Sequence, residues 1–193
     1  MIENDAIVVF DYFVNSIGID EKDIVICGRS IGSGPAVHLA ANRNPGALIL
    51  ISPFKSIQDT ASSILGMFSF IVKNRFDNLS KMKGVTCPLL LIHGQLDNLI
   101  PFSHSLELAK KTSGPCDVLI PEEMDHNEFD LYEDYLEPIT MFMKRNYLTL
   151  SDCKDKIMIK QELFDIPEYL IDPNEQIKKK DYMSKFLRKI LKI

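Results

Sequence analysis

An α/β domain, with a mostly parallel sheet of about four strands flanked by helices, is the fold class that this sequence predicts. Three observations carry the expectation. Short apolar runs rich in β-branched residues alternate with helical patterns along the first 147 residues. No hairpin signal joins consecutive runs, so the connections are right-handed crossovers. The chain of 193 residues, 46% hydrophobic and 25% charged, is long enough to bury a real core.

The elements follow in order. Asn4 or Asp5 caps a helix whose apolar positions are Ile7, Phe10, Phe13, Val14 and Ile17, and Gly18 ends it. Ile24-Val25-Ile26-Cys27 is a strand of the kind buried on both faces. A glycine-rich turn over residues 28–34 leads into a helix through about Asn42. Ala47–Ile51 is the second strand, closed by Ser52-Pro53, and residues 56–83 are helical or irregular and unusually apolar. Pro88–Ile92 is the third strand and Ser103–Lys111 a helix. Asp117–Ile120 is the fourth strand, and Leu131–Tyr147 a helix kinked at Pro138. No internal repeat is visible.

Composition removes several function classes. The net charge is −5, but it is unevenly spread. Residues 1–150 carry 12 Lys/Arg against 19 Asp/Glu, whereas residues 175–193 carry 7 against 2. A mildly acidic body does not suit a nucleic-acid partner. No apolar run reaches the roughly 20 residues of a membrane span, and the acidic N-terminus is unlike a signal peptide, so an intracellular, cytoplasmic location is expected. The four cysteines are scattered and form no CxxC pair; Cys27 is expected to pack as a small hydrophobe.

The chemistry concentrates at Gly28-Arg29-Ser30-Ile31-Gly32, a G-x-S-x-G pentapeptide placed between a strand and a helix. A tight turn there strains the serine backbone and lifts its hydroxyl above the strand ends, with flanking glycines where a Cβ would collide. Ser30 is therefore the candidate nucleophile, and a serine needs a base. His126 follows the fourth strand in a loop that can return over the sheet, and is the candidate base. Of the other histidines, His38 falls inside a helix, His93 ends the third strand close to the site as a supporting residue, and His104 looks exposed. Asp97, just beyond the third strand, is the candidate orienting acid; Asp125 is a weaker rival because adjacent side chains rarely face each other. The order Ser30, Asp97, His126 is that of α/β-hydrolases. The backbone N–H of Ile31 is the expected first oxyanion donor.

These residues resemble the α/β-hydrolase domain-containing protein 17 group. The matching blocks are residues 28–35 (Gly28 to Pro35), Ile51-Ser52-Pro53, residues 88–94 (Pro88 to Gly94) with Asp97 and Phe102-Ser103-His104, and His126-Asn127 with Asp130-Leu131-Tyr132. The related domain-containing protein 13 group shares most of them. The resemblance covers about residues 1–147 and implies a serine hydrolase that removes palmitoyl groups from cysteines of membrane-associated proteins, with no metal or organic cofactor. It also implies strands, a His-Gly loop and a cysteine-rich lipidated segment ahead of Ser30, where this sequence has 29 residues. The expected organisation is thus a partial, N-terminally truncated α/β-hydrolase domain over 1–147, the C-terminal part of that fold, with a helical C-terminal extension over 148–193.

Two further features bear on partners. Phe54 and the apolar segment over 64–72, with Met67 and Phe68, either line an acyl-chain pocket or pack on the sheet. In residues 176–193, Met183, Phe186, Leu187, Ile190 and Leu191 form an apolar stripe among Lys and Arg. That is a basic amphipathic helix, which either docks on the body or lies on an anionic membrane surface. Two alternatives to the acyl hydrolase remain at this point. A prolyl-peptidase-like serine peptidase shares the triad order, although Ile31 stands where such enzymes carry an aromatic residue. A catalytically incomplete hydrolase would serve as an interaction module.

Overall fold

The computed structural model describes residues 2–60, 75–146 and 148, all within one compact unit, Met1–Thr149. Met67, Phe68 and the whole basic amphipathic segment over 176–193 lie outside the described residues. Four parallel strands form a single sheet in sequence order: β1 (Val25–Arg29), β2 (Ala47–Ile51), β3 (Leu89–Ile92) and β4 (Cys116–Leu119). Helices α1 (Ile2–Tyr12), α2 (Ser33–Asn42), α3 (Asn78–Lys81), α4 (Ser103–Ala109) and α5 (Glu137–Arg145) connect or follow them.

The central strands β2 and β3 are buried at every residue, as their unbroken apolar sequences require. Because side chains alternate, each strand feeds two cores. Ile26, Leu48, Leu50, Leu89 and Leu91 pack with Phe10, Val37, Leu39, Ala40, Met82 and Leu108 on one face. Ala47, Ile49, Ile51, Leu90 and Ile92 pack with Met124, Tyr135 and Phe142 on the other.

Three local expectations need correction. α1 already includes Ile2, so neither Asn4 nor Asp5 caps it. Gly18 does end the segment: after a wide π-helical turn over Phe13–Ile17 it takes φ 83° and donates its N–H to the Phe13 carbonyl. In place of a simple kink at Pro138, a second π-helical turn spans Leu131–Leu136 and α5 begins at Glu137. Proline, lacking an N–H, costs little in the first turn of a helix. Cys27 is exposed rather than packed: burial alternates along β1, with Ile26 and Gly28 covered and Cys27 on the open face.

The strand ends place the reactive residues. Arg29 pairs with Ile51, and Ile51 with Ile92. The next residue on each strand, Ser30, Ser52 and His93, therefore stands in one row across the C-terminal edge of the sheet. Open α/β sheets present functional groups along this edge. Two backbone hydrogen bonds extend the register into the row, from Ser52 N–H to the Ile92 carbonyl (2.8 Å) and from His93 N–H to the Leu119 carbonyl (3.0 Å).

Candidate active site

Ser30 leaves β1 with φ 49°, a left-handed backbone that a side chain rarely adopts. It opens a tight turn, Ser30–Gly32, that runs directly into α2. Gly28 makes the turn possible. A Cβ there would lie 2.6 Å from the Ala36 Cβ and 2.7 Å from the Gly32 carbonyl oxygen. Gly32 is different: a Cβ would meet open space, so the expected collision at this second glycine does not occur.

The structure brings Ser30, His126 and Asp97 into one hydrogen-bonded chain. Ser30 Oγ is 3.1 Å from His126 Nε2, and His126 Nδ1 is 2.7 Å from Asp97 Oδ2. The carboxylate can only accept, so Nδ1 carries the proton and Nε2 is free to accept from the serine. Asp97 and His126 are both buried. Asp97 Oδ1 accepts two backbone N–H bonds, from Leu99 (3.0 Å) and Ile100 (2.8 Å). Burial by itself would push the Asp97 carboxyl up. Bonding from His93, the Ile100 N–H and His126 outweighs burial and holds it well below the usual carboxylate range. Asp97 is thus an anion facing an imidazole N–H.

The His126 loop is held from two sides. A Cβ on Gly94 would lie 2.1 Å from the Met124 carbonyl oxygen, so only glycine lets the loop close over β3. The same carbonyl accepts from Leu96 N–H at 3.0 Å, and the Met124 side chain is buried in the second core. From the other side Arg29, the neighbour of Ser30, donates from Nη2 to the His126 carbonyl and lies 3.4 Å from Asn127 Oδ1. Its guanidinium sits 5.7 Å from the centre of the Phe129 ring, which stacks on Tyr135 at 4.4 Å. The sequence marked Arg29 only as a variable position of the pentapeptide, and spacing alone carries no signal for its reach.

The remaining candidates fall elsewhere. Asp125 turns away from the imidazole and accepts from the Asn127 (2.6 Å) and Glu128 (2.7 Å) N–H groups. His38 lies within α2 and joins none of these bonds. His104 is not exposed. It is 5% accessible, and its Nδ1 accepts the Lys55 N–H at 3.3 Å, because the start of α4 packs against the segment after β2. Burial, helped by the Lys55 charge, pushes its pKa down. Phe54 is buried at 2% beside Phe76, 6.5 Å between ring centres. Ile31 sits on the turn with an exposed side chain and its N–H one residue beyond the candidate nucleophile.

Comparison with known proteins gives the chain's relatives. The chain is 36% identical over 138 residues to the human (Homo sapiens) α/β-hydrolase domain-containing protein 17B, a match covering 69% of this chain and 46% of that protein. The chain is similar to the α/β-hydrolase domain-containing protein 17 group. It is also 30% identical over 139 residues to the α/β-hydrolase domain-containing protein aho-3 of Caenorhabditis elegans, covering 72% of this chain and 41% of that one. The chain thus spans about half the length of the curated relatives it matches. No family model matches it.

Solved α/β-hydrolases share the fold. An acetyl xylan esterase from Paenibacillus sp. R4 superposes with TM-score 0.61 at 17% identity, over 75% of this chain and 52% of that one. The Pyrococcus horikoshii acylaminoacyl peptidase gives TM-score 0.58 at 17% identity, over 78% and 29%. An esterase and a peptidase match almost equally, so these likenesses show the fold and not the substrate.

Proposed function

We propose that this α/β-hydrolase chain is a serine hydrolase of acyl esters and thioesters. The observation that carries the reading is the buried chain Asp97–His126–Ser30, at 2.7 and 3.1 Å, ending on a serine in a left-handed backbone. In this mechanism Ser30 Oγ attacks the acyl carbonyl carbon and His126 Nε2 takes the hydroxyl proton. Asp97 stabilises the imidazolium, and the Ile31 N–H faces the developing oxyanion. Collapse breaks the bond to the alcohol or thiol, which leaves with the proton from His126. Water then attacks the acyl-Ser30 ester, again with His126 as base, and releases the acid.

The finer proposal is that the acyl group is a palmitoyl chain on cysteines of membrane-associated proteins. It is supported by similarity to the domain-containing protein 17 group over 138 residues, and by the apolar sequence over 64–72. Docking of residues 176–193 on an anionic membrane would bring the site to such substrates.

A fluorophosphonate probe tests the core of the reading. Wild-type chain is expected to label at Ser30 and Ser30→Ala to show no labelling. Undiminished labelling of the variant removes Ser30 from the mechanism. For the substrate, thioester release from a palmitoylated peptide should exceed release from an acetylated one; equal rates would remove the long-chain preference.

A further inference from the structure

The geometry points to His93 and Ser105 as a pair of positioning residues that lock the Asp97 carboxylate onto His126. The inference rests on the hydrolase reading above and extends it to two residues that do not touch Ser30 or the attacked carbonyl.

His93 and Ser105 are both fully buried. The His93 ring is engaged at both nitrogens. Its Nε2 faces two acceptors, the Ile100 carbonyl at 2.7 Å and Asp97 Oδ2 at 3.3 Å. Neither can donate, so Nε2 must carry the proton. Its Nδ1 lies 2.7 Å from Ser105 Oγ. In the neutral ring Nδ1 is then an acceptor, and the Ser105 hydroxyl donates to it. The Ile100 carbonyl and the Asp97 carboxylate set the His93 tautomer, and Ser105, on α4, anchors the ring through Nδ1. The other tautomer would set the Nε2 lone pair against a carbonyl and a carboxylate in a buried site, which is costly because no water can separate them.

The consequence reaches the reactive row. His93 ties two points of one loop, Ile100 and Asp97, to the end of β3. The two Asp97 oxygens are divided between separate sets of donors. Oδ1 is fixed by the Leu99 and Ile100 N–H groups, and Oδ2 lies between His93 and His126. With three sides held, the carboxylate keeps Oδ2 in the plane of the His126 Nδ1–H. Catalysis is steep in such alignment, since misplacement by about 1 Å costs about 10²-fold.

The test uses the full 193-residue chain with three readouts. These are steady-state hydrolysis of a short p-nitrophenyl ester, the rate of fluorophosphonate labelling, and the far-downfield proton resonance of His126 Nδ1–H. Ser105→Ala is expected to lower kcat about 3–10-fold with KM unchanged, the loss of one neutral hydrogen bond, and to shift the downfield resonance. Ser105→Thr should restore both. His93→Leu is expected to lose about 10–100-fold in kcat, as for a bond to a charged group. His93→Gln, whose amide N–H reaches the same two acceptors, should recover most of that loss.

Wild-type kcat and an unmoved resonance in Ser105→Ala would overturn the proposal. Equal losses in His93→Leu and His93→Gln, with thermal melts unchanged, would overturn it too. If His93→Leu does not fold, the Ser105 pair decides the matter. Failure of the hydrolase reading looks different: wild type would neither label nor turn over, while the resonance would still report whether His93 and Ser105 hold the Asp97–His126 bond.

Discussion

The elbow bearing Ser30 and the loop bearing His126 meet at 3.1 Å, yet they are built by opposite means. The elbow is placed by backbone alone. A strand end, a left-handed residue and a glycine with no room for a Cβ leave the serine one position. The His126 loop has no such frame. It is fastened from outside, by the Gly94 approach beneath it and by Arg29 across it. Ser30 is therefore fixed by its own local sequence, whereas His126 depends on residues about thirty and a hundred positions away in the chain. Substitutions at the supports of the loop should cost activity more than stability, and those at the elbow the reverse.

The largest expected effect is at Gly94. In Gly94→Ala the new methyl forces the Met124 carbonyl and His126 with it outward, and kcat should fall about 100-fold. Circular dichroism and a thermal melt on the same sample should show a folded chain; loss of fold would break the contrast. Next comes Gly28→Ala, where the methyl meets Ala36 and the turn backbone. Overpacking of this kind costs about 1–3 kcal/mol, read as a lowered urea midpoint. Arg29→Ala removes a charge-assisted bond to the loop and should slow probe labelling about tenfold with an unchanged melting temperature. Arg29→Lys, which lacks the planar fork, should not restore it. The smallest effect is at Gly32. It has φ −65° and open space, so Gly32→Ala should stabilise by about 0.4–1 kcal/mol through the unfolded chain. A destabilised Gly32→Ala would mean that the elbow is tighter than its geometry shows.

The same contrast explains what the sequence could show. Parallel strands with crossovers leave an unmistakable pattern, and Ala47–Ile51 was read to the residue because both its faces are buried. Ser30, Asp97 and His126 were legible because each follows its own strand in a known order. The edge was less legible. Cys27 looks like its apolar neighbours in sequence, and only the alternating burial of β1 shows it exposed. His104 was misread for a related reason: the start of a helix usually faces water, and nothing local shows that the segment after β2 covers it. The Arg29 and Gly94 supports were invisible because both act across the chain, and spacing records only what is near. His93 falls near the site by its place after β3, but its anchor Ser105 carries no motif.

The left-handed Ser30 has one more consequence, for how an inactive copy of this chain would change. A non-glycine residue in that conformation carries a penalty of about 1–3 kcal/mol. Ser30→Gly would remove most of it while deleting the hydroxyl, so the inactive protein should melt higher than the active one. Holding a reactive serine at this bend is a standing load on the native state, and a copy freed from hydrolysis would drift towards glycine there. The residue at position 30 is thus an indicator, readable in any close copy, of whether the proposed chemistry is retained.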